Sequence, residues 1–248
     1  MQTWWTLTRR ELGGYFMSMT GYIIIATAMF LMGFSFVALL WKIQTEPTTM
    51  PVTELLTPFF WAVFVLTTPI ITMRLFAQEK FSGTFETLMT TPVSDFEVVL
   101  AKFTAALVFY IVMWLPFVGC LFVVRHYTSD PAPFDSGAFG ATFLGILLLG
   151  CLYLSLGCFA SAITRSQVTA AMISLVCGAC LFLVGLLADK IPAPADWQAQ
   201  VLASLAFFEQ MRDFSRGVVD TRSVVLFVTL TLFFLFLTLR IVESRRWK

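Results

Sequence analysis

Six stretches of this chain, Tyr22–Trp41, Leu55–Met73, Phe103–Val124, Ala138–Ile163, Val168–Ala188 and Ser223–Leu239, contain no Asp, Glu, Lys or Arg. Each approaches or exceeds the roughly 20 helical residues that cross the hydrocarbon of a bilayer. Lipid offers a backbone amide no partner, so a crossing segment must be a helix or part of a closed barrel. The predicted fold is therefore all-α and polytopic, with six transmembrane helices in a single domain, residues 1–248. Composition agrees: 58% of residues are hydrophobic and only 12% charged, against about a quarter charged in soluble domains.

The connectors set the predicted orientation, because basic residues accumulate on the cytoplasmic side. With both termini inside, that side carries Arg9, Arg10, Arg74, Lys80, Lys102, Arg165, Arg240, Arg245, Arg246 and Lys248; the outside carries Lys42, Arg125, Lys190, Arg212, Arg216 and Arg222. Residues 1–20 read as an interfacial helix. At helical spacing Trp4, Trp5, Leu12, Tyr15, Phe16 and Met19 share one arc, with Arg9 and Arg10 elsewhere. On the outside, residues 189–222 form the longest loop. After "KIPAPAD" it is predicted to become an amphipathic helix, roughly Trp197 to Val218. Phe207, Met211, Phe214 and Val218 line one side; Glu209–Arg212 and Asp213–Arg216 pair on the other. This stripe is buried either in the outer leaflet, as an anchor, or against an exit path, as a lid.

The connector "EKFSGTFETLMTTPVSDFEVVLAK", Glu79 to Lys102, is far longer than the "TRSQ" that joins the fourth and fifth spans. Gly83 permits a sharp turn, and "TFETLM" can form about two helical turns presenting Phe85, Leu88 and Met89. Pro92 stops that piece. Ser94 and Glu97 then make a capping box that starts the next helix. A segment built this way is made to touch a partner. Its pattern resembles the cytoplasmic coupling segment of ABC-2 type permeases, the membrane subunits of one class of ATP-binding-cassette transporters. Glu79, Gly83, Thr84, Glu86, Leu88, Pro92, Ser94, Glu97 and Lys102 match that family's usual form, whereas Lys80, Phe85, Met89 and Ala101 depart from it mildly. The stretches "LTRRELGGYFMSMTGYI" and "FFEQMRDFSRGVVDTRSVV" look most like its gliding-motility branch.

The resemblance implies a permease fold of the type V exporter kind, a second permease copy or paralogue, and a separate ATPase subunit docked on residues 76–98. Glu79, Gly83, Thr84, Phe85, Glu86, Leu88, Met89 and Pro92 are then the coupling residues. It implies no cofactor in this chain, with ATP and Mg on the partner, and a bacterial inner membrane as the location.

Other classes fit less well. No G-x-x-x-x-G-K-[ST] phosphate loop occurs, so ATP hydrolysis is expected elsewhere. His126 is the single histidine, which disfavours multi-histidine metal sites and most acid–base schemes. No basic run suited to nucleic acid is present. Ion-coupled carriers keep ionisable groups within the membrane, and the six spans have none. A scaffold that relays ATP-driven motion to an envelope machine stays open as an alternative to an exporter. The five cysteines read as small packing residues. Ala170, Ser174 and Gly178, four residues apart, form a small-residue stripe for close helix approach, within the chain or to a second copy. The predicted topology has a direct check. With native cysteines removed, single cysteines at Thr48, Asp130 and Gln210 should label from outside intact cells, and those at Glu86, Ser166 and Arg246 should not.

Overall fold

The apolar runs do form helices, and polar ends extend several of them. A computed structural model describes residues 2–45, 52–84, 93–127, 136–190 and 206–246. In chain order the helices are α1 Gln2–Phe16, α2 Met19–Thr45, α3 Val52–Thr72, α4 Ala77–Ser82, α5 Asp95–Tyr127, α6 Ser136–Ile163, α7 Gln167–Lys190, α8 Phe207–Ser215 and α9 Thr221–Arg246. Six of them, α2, α3, α5, α6, α7 and α9, are long and apolar enough to cross a membrane. α5 starts eight residues before its uncharged run because Ser94 and Glu97 cap it reciprocally. The Ser94 N–H donates to Glu97 Oε2 at 3.4 Å and the Glu97 N–H to Ser94 Oγ at 3.3 Å.

The crossing helices sort into two shells. More than half of α3, α5 and α6 is buried within the chain, and about a quarter or less of α2, α7 and α9. The outward faces of that second group carry Phe30, Val176 and Leu232, which suit lipid as solvent. Cys177 and Cys180 are exposed on α7 too, so they do not pack inside this chain as expected, whereas Cys158 is buried.

Close approach in the inner shell rests on glycines of α6. A Cβ on Gly150 would lie 2.4 Å from the Tyr110 ring, and one on Gly157 would lie 2.1 Å from Thr72 Oγ1. Tyr110 uses the space to reach the Ile146 carbonyl at 3.0 Å. The stripe on α7 is answered from within the chain. Ala170 and Ser174 are buried, and Gly178 receives Tyr153 of α6, whose hydroxyl donates to the Gly178 carbonyl at 3.0 Å.

α3 links the two ends of the bundle. Its first turns meet α8, and its last turn leads into α4, beside α1. Pro58 and Pro69 lie inside it, each removing one backbone donor. Gly157→Val should lower the thermal unfolding midpoint of the purified protein, since overpacking here costs about 1–3 kcal/mol. Gly140→Val, with open space around its Cβ position, should leave the midpoint nearly unchanged apart from helix propensity.

Candidate functional site: the α1–α4 corner and the α8 clasp

Residues Ala77–Ser82 carry no apolar period, yet they form a helix because their neighbours hold them. The Phe76 and Ala77 N–H groups, which begin α4 and have no earlier carbonyl within it, both donate to Ser161 Oγ of α6 at 3.1 Å. Ser161 in turn donates to the Met73 carbonyl at 3.3 Å. Lys80 Nζ donates to the Ala162 carbonyl. Gly83, at φ +74°, ends the helix in the left-handed region that glycine reaches without strain. The short helix expected after Gly83 is therefore preceded by one that sequence reading missed. Of the expected coupling residues, Glu79, Gly83 and Thr84 are placed here, while Phe85, Glu86, Leu88, Met89 and Pro92 lie outside the described residues. Phe81 points outward and is 79% exposed.

Behind α4 lies a buried ion network that residue spacing does not announce. The Lys102 side chain is only 3% exposed and stands between two carboxylates, 2.9 Å from Glu79 Oε1 and 3.2 Å from Glu11 Oε1. Arg10 bridges the same two oxygens at 2.9 Å to Glu11 and 3.3 Å to Glu79. The ammonium also lies 5.5 Å from the Phe76 ring centroid. Two cations and two carboxylates thus balance at the junction of α1, α4 and α5. Burial alone would raise the Glu11 pKa. The charge of Lys102 and hydrogen bonds from Arg10 and Lys102 outweigh it and hold this carboxyl below its ordinary range. Glu79 Oε2 is buried without a hydrogen-bond partner among the described residues. It borders a cleft of about 280 Å³ lined by Arg10, Glu11, Arg74, Gln78 and Lys102 as well.

The same network corrects the reading of α1. Tyr15 is buried, stacks on Phe109 of α5 at 4.8 Å and donates to the Ile71 carbonyl at 2.7 Å. Thr8 is buried as well, its Oγ1 3.3 Å from Thr104 Oγ1. The face toward the protein thus adds Thr8 and Glu11 to Leu12, Tyr15 and Phe16 of the predicted arc, which pack on the core, while Trp5 (61%) and Met19 stay exposed. Arg10 belongs to the network rather than pointing away from it.

At the other end of α3, α8 folds into the bundle. Phe207, Met211 and Phe214 are buried, and Phe214 fits against Gly145 of α6, where a Cβ would approach to 3.0 Å. Val218 departs from the predicted stripe: it is 57% exposed, because the chain turns at Gly217, φ +87°, and helical spacing ends there. The predicted pairs do not form either. Arg212 Nε and an Arg216 guanidinium nitrogen each donate to Glu54 Oε1 of α3 at 2.7 Å. Thr53 Oγ1 donates to the Ser215 carbonyl at 2.5 Å, and Thr57 Oγ1 lies 2.7 Å from Ser215 Oγ. The predicted start near Trp197 falls outside the described residues.

Six crossing helices, a polar corner at one end and a clasped helix at the other define a multi-pass membrane protein. The chain belongs to the ABC-2 family transporter proteins, whose sequence pattern matches residues 41–241. That match runs from the end of α2 to near the end of α9 and includes α4 and α8. It is to the family as a whole and does not single out the gliding-motility branch. No curated protein matches the chain significantly.

The network predicts a pH-dependent docking of α1. Spin labels on exposed Arg9 and Phe96, in a cysteine-free background, should give one narrow distance at pH 7. Because the Glu11 pKa is depressed when docked, docking is fully favoured above the ordinary carboxylate value of about 4.3. It weakens as pH falls through the lower, docked value. Lys102→Met should broaden the distance already at neutral pH, since breaking a buried pair costs about 3–5 kcal/mol.

Proposed function

We propose that this chain is the permease subunit of an ATP-binding-cassette exporter, driven by a separate ATPase subunit docked at α4 and the segment after Gly83. Membership of the ABC-2 family supports a partnership with such an ATPase. The observation that carries the docking site is Phe81. A large apolar side chain stands 79% exposed on a helix whose opposite side is fixed to α6 through Ser161 and Lys80. Phe96, at the start of α5, is exposed near the same connector. Such residues facing an aqueous compartment favour a partner that covers them.

In this reading both termini face the cytoplasm of a bacterial inner membrane, and ATP and Mg belong to the partner. A push on α4 reaches α6 through Ser161 and α1 and α5 through Glu79 and Lys102. At the far end α8 is a lid over the exit path, latched by Glu54. A second permease copy completes the transporter.

Phe81→Asp and Leu88→Asp should each abolish co-purification of the co-expressed ATPase subunit, while membrane insertion and the gel-filtration profile of the permease stay normal. Charging an apolar contact leaves an ion without a partner, a loss of roughly 3–5 kcal/mol. Undiminished recovery of the ATPase with both variants contradicts the docking site.

A further inference from the structure

Trp61 lies on the face of α3 that also carries Glu54 and Thr57, at helical spacings of seven and four residues toward the α8 end. Its side chain is buried, with a residue exposure of 2%. Aromatic rings from three other helices surround it: Tyr153 of α6 at 6.1 Å, Phe182 of α7 at 5.1 Å and Phe208 of α8 at 6.3 Å, the last nearly parallel at 24°. Phe64, one turn along α3, completes the set at 6.0 Å. The indole Nε1–H finds no acceptor among the described residues. Most buried polar groups in folded proteins are satisfied, and one left unmet calls for a reason. The neighbouring Tyr153 hydroxyl donates to the Gly178 carbonyl and makes no hydrogen bond to the indole.

We propose that Trp61 and its ring cage form a recognition site for an uncharged, largely apolar molecule that carries a hydrogen-bond acceptor such as a carbonyl. The rings supply flat contact area and carry no formal charge to balance an anion, while the indole N–H presents its positive end and works against a cation beside it. The indole supplies one directed donor, which is an indole's sole hydrogen-bonding capacity. Phe208 lies across the indole, and α8 is fastened beside it by Arg212 and Arg216 on Glu54. Opening the clasp withdraws Phe208 from the indole face and makes room beside it for a guest; closing it returns the ring. This assignment rests on the reading of α8 as a lid.

Nile red is a suitable probe: it is neutral and flat, has a carbonyl acceptor and no donor, and brightens in apolar surroundings. Binding is measured on the full permease in nanodiscs without the ATPase, as saturable emission above that of protein-free discs. Glu54→Gln, which loosens the clasp, should bind the dye more tightly than the parent. Adding Trp61→Phe should weaken that binding about fivefold, the worth of one neutral hydrogen bond. Replacing Trp61 by benzothienylalanine, which keeps the ring shape and lacks the N–H, should weaken it equally and leave thermal unfolding at the parental midpoint. A disulfide between Thr57→Cys and Ser215→Cys should abolish binding by holding α8 shut. Dye binding that is unchanged by the benzothienyl residue, or no saturable binding in Glu54→Gln, overturns the site. Binding that persists in the cross-linked form while still depending on the indole N–H overturns the lid and leaves the recognition site standing.

Discussion

One ammonium group organises the α1–α4 corner. Lys102 is withdrawn almost wholly from solvent, and an uncompensated charge there costs several kcal/mol. It is tolerable only because Glu79 arrives from α4 and Glu11 from the N-terminal helix. Both acids are required, since the two carboxylates also draw in Arg10 and the set comes out neutral. Three segments that are distant in sequence are thereby locked into one body. The Tyr15–Phe109 stack and the Tyr15 bond to Ile71 fasten the same joint. α1 is consequently part of the protein's packed structure and more than a float on the bilayer surface.

The six spans were legible because lipid leaves the backbone one local solution, so an uncharged run of sufficient length is a helix whatever its neighbours. Polar contacts were not legible in the same way. Glu11 and Lys102 lie 91 residues apart, and each looks like an ordinary boundary charge when met alone. The one local hint was "LAKFTAAL", a lysine inside an otherwise apolar run. On α8, spacing suggested Glu209–Arg212 and Asp213–Arg216, but exposed pairs of that kind contribute only about 0.2–0.5 kcal/mol. Glu54, covered by α8, offers both arginines a charge-assisted bond of greater worth, and it stood out in the sequence only as an acid before a span. Val218 failed because helical periodicity is meaningful only while the helix lasts, and Gly217 ends it. The stripe on α7 announced close approach; its partner Tyr153 was a matter of tertiary structure.

α3 carries the two polar assemblies at its opposite ends, and its composition explains how they can communicate. Thr67, Thr68 and Thr72 turn their hydroxyls back onto carbonyls one turn earlier, which satisfies polar groups inside the membrane without partners from other helices. Pro58 and Pro69 each leave a carbonyl without its amide, so flexure is concentrated near each end. Between them Phe60, Trp61 and Phe64 are wedged among Tyr110, Trp114, Phe117 and Tyr153. A close-packed aromatic middle resists bending, while the ends can pivot. On the proposed reading, a displacement at α4 therefore reaches Glu54 as a tilt of the central segment and is not absorbed along the way. The clasp at Glu54 sits just beyond the Pro58 pivot, at the end where such a tilt is delivered. Its bonds to Arg212 and Arg216 are directional, so a small angular change separates them more readily than it disturbs the apolar seat of Phe207 and Phe214. On that reading, polar latches near the two prolines, with a stiff apolar shaft between, let the chain register at one surface what happens at the other.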